Sequence, residues 1–134
     1  MSIVSSNKRV IFNGLDITAT GYIYNTTASK NSEAGWVDTK YTDCFVQIGL
    51  ATMAKSVRYR VEGRFSKGDR AASIKSGSIP GNNIDRFITI FGNTVNTLRV
   101  PQVRVGVGVA TEIASPNDAG THNLYCKLIL TDTR

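Results

Sequence analysis

The sequence predicts an all-β protein, an antiparallel two-sheet sandwich of jelly-roll type with about eight strands and almost no helix. Three observations lead there. Short runs rich in Val, Ile, Thr, Tyr and Phe recur along the 134 residues, alternating apolar with polar positions as half-buried strands do. Clusters of Gly, Asn, Asp and Ser separate the runs, and these residues accept the backbone angles that turns demand. No segment repeats apolar residues at helical spacing; "LATMAKS", residues 50–56, suffices for one turn at most. Short strands without helices bury one face each by closing sheet on sheet, which also protects most edges. A closed barrel is the alternative.

In chain order the candidate strands are 9–12, 17–24, 35–37, 44–50, 57–65, 87–91, 98–109 and 123–132. The first is followed by Asn13-Gly14, a composition suited to a hairpin turn. In "VRYRVEGRF", residues 57–65, one register holds Val57, Tyr59, Val61 and Phe65, and the other holds Arg58, Arg60, Glu62 and Arg64. In 98–109 the register of Val103, Val105, Val107 and Val109 predicts an inward valine face, with Arg104, Gly106 and Gly108 outward. Pro101 donates no ladder hydrogen bond and predicts a bend, bulge or edge there. The last strand carries Leu124, Cys126, Leu128 and Leu130 in one register. Residues 1–8 read as an extended N-terminal arm, and 66–83, full of breakers, as a flexible basic loop. One domain, 1–134, accounts for the whole, with no internal repeat and no linker composition.

The composition, 41% hydrophobic and 19% charged with 12 Gly and 3 Pro, is that of a globular chain with a core. No apolar run approaches the roughly 20 residues of a membrane helix, and "MSIVSSNKRVIF" lacks the hydrophobic segment of a signal peptide. The expected site of synthesis is therefore the cytoplasm, with no membrane partner. Cys44 and Cys126 are expected to be two buried thiols without a disulfide.

The net charge of +6 is localised. Residues 1–50 carry four basic and four acidic side chains and 101–134 carry three of each, whereas 51–100 carry nine basic against three acidic. Arg58, Arg60 and Arg64, with Lys67, Arg70 and Lys75, therefore form the candidate contact surface, facing either an acidic protein or nucleic acid. A base-stacking platform needs aromatics and cations on one face, and here Tyr59 shares the core register while Glu62 interrupts the row. Protein is the favoured partner on that argument. Trp36, the sole tryptophan, and Tyr41 form a secondary candidate, as an interface or a sugar contact, since carbohydrate sites use exposed aromatics.

Catalytic chemistry is sparse. His122 has no Ser, Asp or Cys at a recognisable motif spacing and reads as a loop or edge residue. Asp38 and Asp43 flank Tyr41 but read as turn-capping carboxylates. One His and two separated Cys do not make a zinc site. Asp16, Asp38 and Asp43 have no EF-hand spacing, and "GVGVAT" from Gly106 lacks the third glycine and the strand-to-helix setting of a dinucleotide loop. Asn25-Thr26-Thr27 matches a glycosylation acceptor and Lys67-Gly68-Asp69 an adhesion tripeptide, the latter read as a turn. No cofactor and no enzymatic activity are expected.

The segments "AGWVDTKYTDCFVQIGL", "VRYRVEGRF", "LRVPQVRVGV" and "HNLYCKLILTDTR" together resemble a class of small all-β virion proteins of tailed bacteriophages, many of them capsid cement, or decoration, proteins. The resemblance spans about residues 35–134. It implies a homotrimeric jelly roll on the capsid surface that bridges subunits of the major capsid protein, with a tail, neck or baseplate subunit as the alternative location. Coat proteins of single-stranded RNA phages, which close on helices, resemble it less, because this chain closes on an alternating strand.

Overall fold

The computed structural model describes residues 3–17, 22–24, 35–50, 57–79, 85–92, 100–109 and 122–133. They form eight strands: β1 (Ile3–Leu15), β2 (Val37–Asp38), β3 (Asp43–Gly49), β4 (Val57–Arg64), β5 (Ala72–Ile79), β6 (Arg86–Phe91), β7 (Gln102–Val109) and β8 (Leu124–Thr133). Two four-stranded sheets result, ordered β1-β8-β3-β6 and β2-β7-β4-β5. Every pairing is antiparallel, and the strands nest first with last: β1 with β8, β2 with β7, β3 with β6, β4 with β5. Such nesting is a two-stranded ribbon wrapped over itself, its pairs falling alternately in the two sheets. That is the jelly roll.

Strand alternation puts one register of each sheet into a shared core. Phe12, Val46, Ile48, Ile90, Leu124, Leu128 and Leu130 enter from the first sheet, and Val57, Val61, Ile79, Val103, Val105 and Val107 from the second, each 1% exposed or less. Cys44 and Cys126 lie in the same core as free thiols. They sit on adjacent strands, but Cys44 faces Leu130 and Cys126 faces Ile48. Four residues of offset put them on the order of 13 Å apart, beyond disulfide reach.

Several expectations are corrected. Residues 3–8 are not an arm: β1 begins at Ile3 and runs 13 residues along β8. Ala72–Ile79, within the stretch read as a loop, is β5; it lies at a sheet edge with most side chains in water, so it has no alternating apolar signature. Asn13-Gly14 does not turn a hairpin. Gly14, at φ +80°, is the extra residue of a bulge between Asn13↔Tyr125 and Leu15↔Leu124, a conformation glycine adopts without steric cost. Within 17–24 the structure shows a single bridge, Ile23 to Val107, and residues 18–21 lie outside the described set. Phe65 lies beyond the end of β4 and is 63% exposed. Lys67-Gly68 does form a turn, closed by Asp69 N–H donating to Ser66 O at 3.0 Å, with Gly68 at φ +88°. β7 starts just after Pro101, as the missing donor requires. The glycosylation tripeptide at 25–27, the one-turn segment 51–56 and residues 98–99 lie outside the described residues.

Candidate functional site

The arginine row on β4 lies on the outer face of the β2-β7-β4-β5 sheet, where it is largely tied up within the chain. Ile23 exchanges backbone hydrogen bonds with Val107 at 2.8 and 3.0 Å, on the same edge of β7 that β2 occupies farther along. Ile23 points into the core, so Tyr22 and Tyr24 turn outward over β7. A Cβ on Gly106 would stand 2.5 Å from the Tyr24 ring; only glycine lets the ring come this close. Gly35, at φ +88°, would set a Cβ 2.4 Å from the Tyr24 carbonyl oxygen, so it too is required for this approach.

A network follows from that cover. Arg104 Nε and Nη2 each approach Glu62 Oε1 at 2.9 Å, and Arg60 Nη2 lies 3.4 Å from Glu62 Oε2. The Arg104 guanidinium stands 3.8 Å from the Tyr24 ring centroid and 4.7 Å from that of Trp36; Arg64 stands 4.2 Å from Trp36. Arg64 Nε donates to Gln102 Oε1 at 2.7 Å, and Gln102 Nε2 donates to Asp38 Oδ1 at 2.9 Å. Arg58 and Arg60 flank Tyr22 at 5.3 and 5.9 Å. Glu62, Arg64 and Arg104 are buried. Their burial is tolerable because each charge has a partner of opposite sign, a polar acceptor or an aromatic face. Burial, joined by a hydrogen bond to the Glu62 carboxylate, pushes the Tyr24 phenol up to about 12.

Among the residues expected at a contact surface, then, Arg64 is withdrawn into the fold and Arg58 and Arg60 are half-exposed. Lys67 and Arg70 are exposed at the β4–β5 turn; Lys75 is exposed and donates to Thr89 O at 3.3 Å, across to the other sheet. Glu62 does not interrupt the row but anchors it. Arg104 faces outward as expected, but there it is covered by Tyr24 and Trp36. The aromatics that parity denied to this face are supplied by segments distant in sequence, Tyr22, Tyr24 and Trp36. Trp36 is occupied by two arginines. Tyr41 is half-buried and lines an open polar cleft of about 410 Å³ with Asn7, Arg9, Lys40 and Asp132.

The outer face of the β1-β8-β3-β6 sheet differs, because none of the described residues packs across it in a second layer. Cross-strand registers order it into rows: Val10–Lys127–Gln47–Phe87, Lys8–Ile129–Phe45–Thr89 and Asn13–Tyr125–Gly49. Phe87 is 69% and Val10 53% exposed, while Phe45, Tyr125 and Ile129 are half-buried. Lys127 Nζ lies 5.6 Å from the Tyr125 ring centroid. No carboxylate stands in these three rows; Asp85 reaches over Gly49 at one end, and the next row at the other, Ser6–Thr131–Asp43, closes on a buried carboxylate. The surface is apolar and cationic at once, a combination that suits a protein contact. Sequence reasoning did not select these residues. The signal was present in "NLYCKLIL", where the register opposite the leucines is itself half apolar.

Potential reactive groups are distributed through the core. His122 lies outside the strands, two residues before β8, in keeping with its reading as a loop residue, but it is fully buried, and its Nδ1 accepts the Ile17 N–H at 3.2 Å. Burial lowers its pKa, and Asp16 acts in the opposite direction. Burial also raises both thiols, Cys44 to about 12 and Cys126 further. Asp38 and Asp43 belong to different sheets, Asp38 held by Gln102 and Asp43 buried at the start of β3. Among the described residues no three His, Cys, Asp or Glu side chains gather as a metal site, and no helix is long and apolar enough to cross a membrane. No protein-family model matches the chain, and no curated protein matches it either.

Proposed function

We propose that the chain is a non-enzymatic structural protein of a bacteriophage virion, a capsid cement subunit that bridges neighbouring major capsid proteins on the head surface and acts as a homotrimer. The observation that carries this reading is the outer β1-β8-β3-β6 face, across which none of the described residues packs. Val10 and Phe87 at 53% and 69% exposure, set beside Phe45, Tyr125 and Ile129 with Lys8 and Lys127 among them, supply an apolar centre with cationic neighbours. A surface of this kind associates with an apolar patch flanked by carboxylates. The jelly-roll topology supports the reading as analogy, since capsid proteins use it, but lectins and cupins use it too. The test is co-sedimentation of the protein with heads assembled from the major capsid protein of the same virus, together with light scattering of the free protein. A trimer that sediments with heads, with binding lost in Val10→Glu and Phe87→Glu, supports the proposal. A monomer that leaves heads unbound sinks it.

A specific feature favours a second reading. Arg58 and Arg60 flank Tyr22, so cations and an aromatic ring share one face after all, the combination that single-strand nucleic-acid binders use. A filter-binding titration with single-stranded DNA separates the two. Binding with a steep salt slope, lost in Arg58→Glu, would favour nucleic acid over capsid protein.

A further inference from the structure

A cleft of about 360 Å³ opens beside the β4–β5 hairpin, lined by Gly63, Phe65, Ala72, Ile74 and Val100 with Arg70 at its rim. Its size falls within the range of sites that seat a side chain or small ligand. Its shape comes from a bulge. Val61 pairs with Lys75 and Glu62 with Ser73, which leaves Ile74 as the extra residue of β5. The bulge re-aims Ile74 inward, toward Gly63 and Val100. A Cβ on Gly63 would stand 2.5 Å from Ile74 Cδ1 and 2.6 Å from Val100 Cγ2. Phe65, 63% exposed, forms an apolar wall on the solvent side.

The charge at the mouth is net positive. Arg70 and Lys67 are exposed beside it, against one exposed carboxylate in the same turn, Asp69, which accepts a hydrogen bond from the Ser66 hydroxyl at 2.9 Å. Backbone capacity lies next to the cleft as well. β5 is the edge strand of its sheet, and among the described residues it pairs only with β4. Farther along that edge, Lys75 Nζ donates to Thr89 O of the other sheet; the part of the edge that borders the cleft is Ala72–Ile74.

We propose that this cleft captures a short, extended, acidic segment of a protein partner. One apolar side chain of the segment sits against Phe65, Ile74 and Val100, its carboxylates meet Arg70 and Lys67, and its backbone runs along the free edge of β5 as an added strand. Strand addition with a side-chain pocket is an established mode of peptide capture, and the cationic mouth selects an acidic sequence. The inference rests on the reading of the chain as a protein-binding structural subunit and adds the chemistry of the segment it holds.

Fluorescence anisotropy with a labelled peptide, a Leu-Phe pair flanked on both sides by Glu, tests it. Two control peptides carry Lys in place of Glu, or Ser-Ser in place of Leu-Phe. The expected result is binding of the acidic apolar peptide alone, strengthening as salt is lowered. Phe65→Ser and Arg70→Glu should each weaken it about tenfold, the effect of truncating one hot-spot residue. Both side chains are exposed, so unchanged urea midpoints will show that the fold is intact. Equal binding of the Lys peptide, or full affinity in Phe65→Ser, overturns the proposal. Concentration-dependent dimerisation that Phe65→Ser abolishes would identify a second copy as the occupant and overturn it too. Head co-sedimentation is scored separately. Peptide binding without head association upholds the cleft and rejects the virion reading; head association without peptide binding does the reverse.

Discussion

Truncating Glu62 to alanine should be the most damaging single change on the arginine-bearing face. Its carboxylate holds Arg104 through two contacts of 2.9 Å to one oxygen and Arg60 at 3.4 Å through the other. At an effective dielectric of about 20, the nearer pair alone is worth roughly 6 kcal/mol before desolvation is counted. Folding has already stripped water from Arg104, which is 8% exposed, and that cost stays when the partner is removed. Breaking a buried pair from one side typically costs about 3–5 kcal/mol. The Tyr24 and Trp36 rings stay against the guanidinium and offset part of this, at about 0.5–2 kcal/mol per cation–π contact. The net expectation is a loss of about 3 kcal/mol, or roughly 10–15 °C in Tm for a chain of this size. Urea and thermal unfolding followed by circular dichroism measure it. The double variant Glu62→Ala/Arg104→Met should regain most of the loss, because an apolar chain of similar length removes the stranded charge. A Glu62→Ala loss under about 1 kcal/mol, or a double variant no more stable than the single one, would refute the claim that a buried ion pair organises this face.

The remaining predictions are narrower. Val10→Glu and Phe87→Glu, both at exposed positions on the outer face of that sheet, should leave unfolding within about 0.5 kcal/mol of the parent while abolishing head co-sedimentation; a loss of stability instead would make these residues core. Gly106→Ala should push the Tyr24 ring off β7, costing about 1–3 kcal/mol as overpacking does, and spectrophotometric titration should show the Tyr24 phenol falling from about 12 toward its ordinary range. His122 makes stability fall with acid. Its folded pKa lies below the ordinary 6.5, so stability is complete above that pH. It declines as pH drops through 6.5, where the unfolded chain takes up a proton that the folded chain refuses. The slope is at most about 1.4 kcal/mol per pH unit. Urea midpoints between pH 8 and 5 should show it, and His122→Gln should flatten that window.

The fold was legible where burial is one-sided. Val57, Tyr59 and Val61, the valines of 103–107 and Leu124 to Leu130 alternate because each strand has one face in the core, and the alternation survives in the sequence. The edge strand β5 was invisible for the same reason: both of its faces meet water over most of its length, so "ASIKSGSI" has the composition of a loop. Gly14 misled differently. A left-handed glycine serves a bulge as well as a hairpin, and only the course of β8 alongside distinguishes them. At the candidate site, parity correctly put the arginines on a face opposite the core but did not reveal what covers them. Tyr22 and Tyr24 lie more than 30 residues before β4 in the chain, and no local pattern marks residues that meet across such a gap.

The division follows from the range of the forces involved. Alternation, turn chemistry and charge counting are local, and they suffice for an all-β sandwich with cysteines in its core and a basic middle segment. Which strands pair, and hence that the ribbon wraps into nested pairs, depends on contacts between residues as far apart as Ile3 and Thr133. The same long-range closure sets Tyr24 on Gly106, withdraws Arg64 and Arg104 into an internal network, and leaves Val10, Phe87 and their neighbours as the apolar surface in contact with water. Exposure is a property of the assembled sheets; a side chain's own chemistry says how well it would tolerate burial, and its neighbours decide whether it is buried.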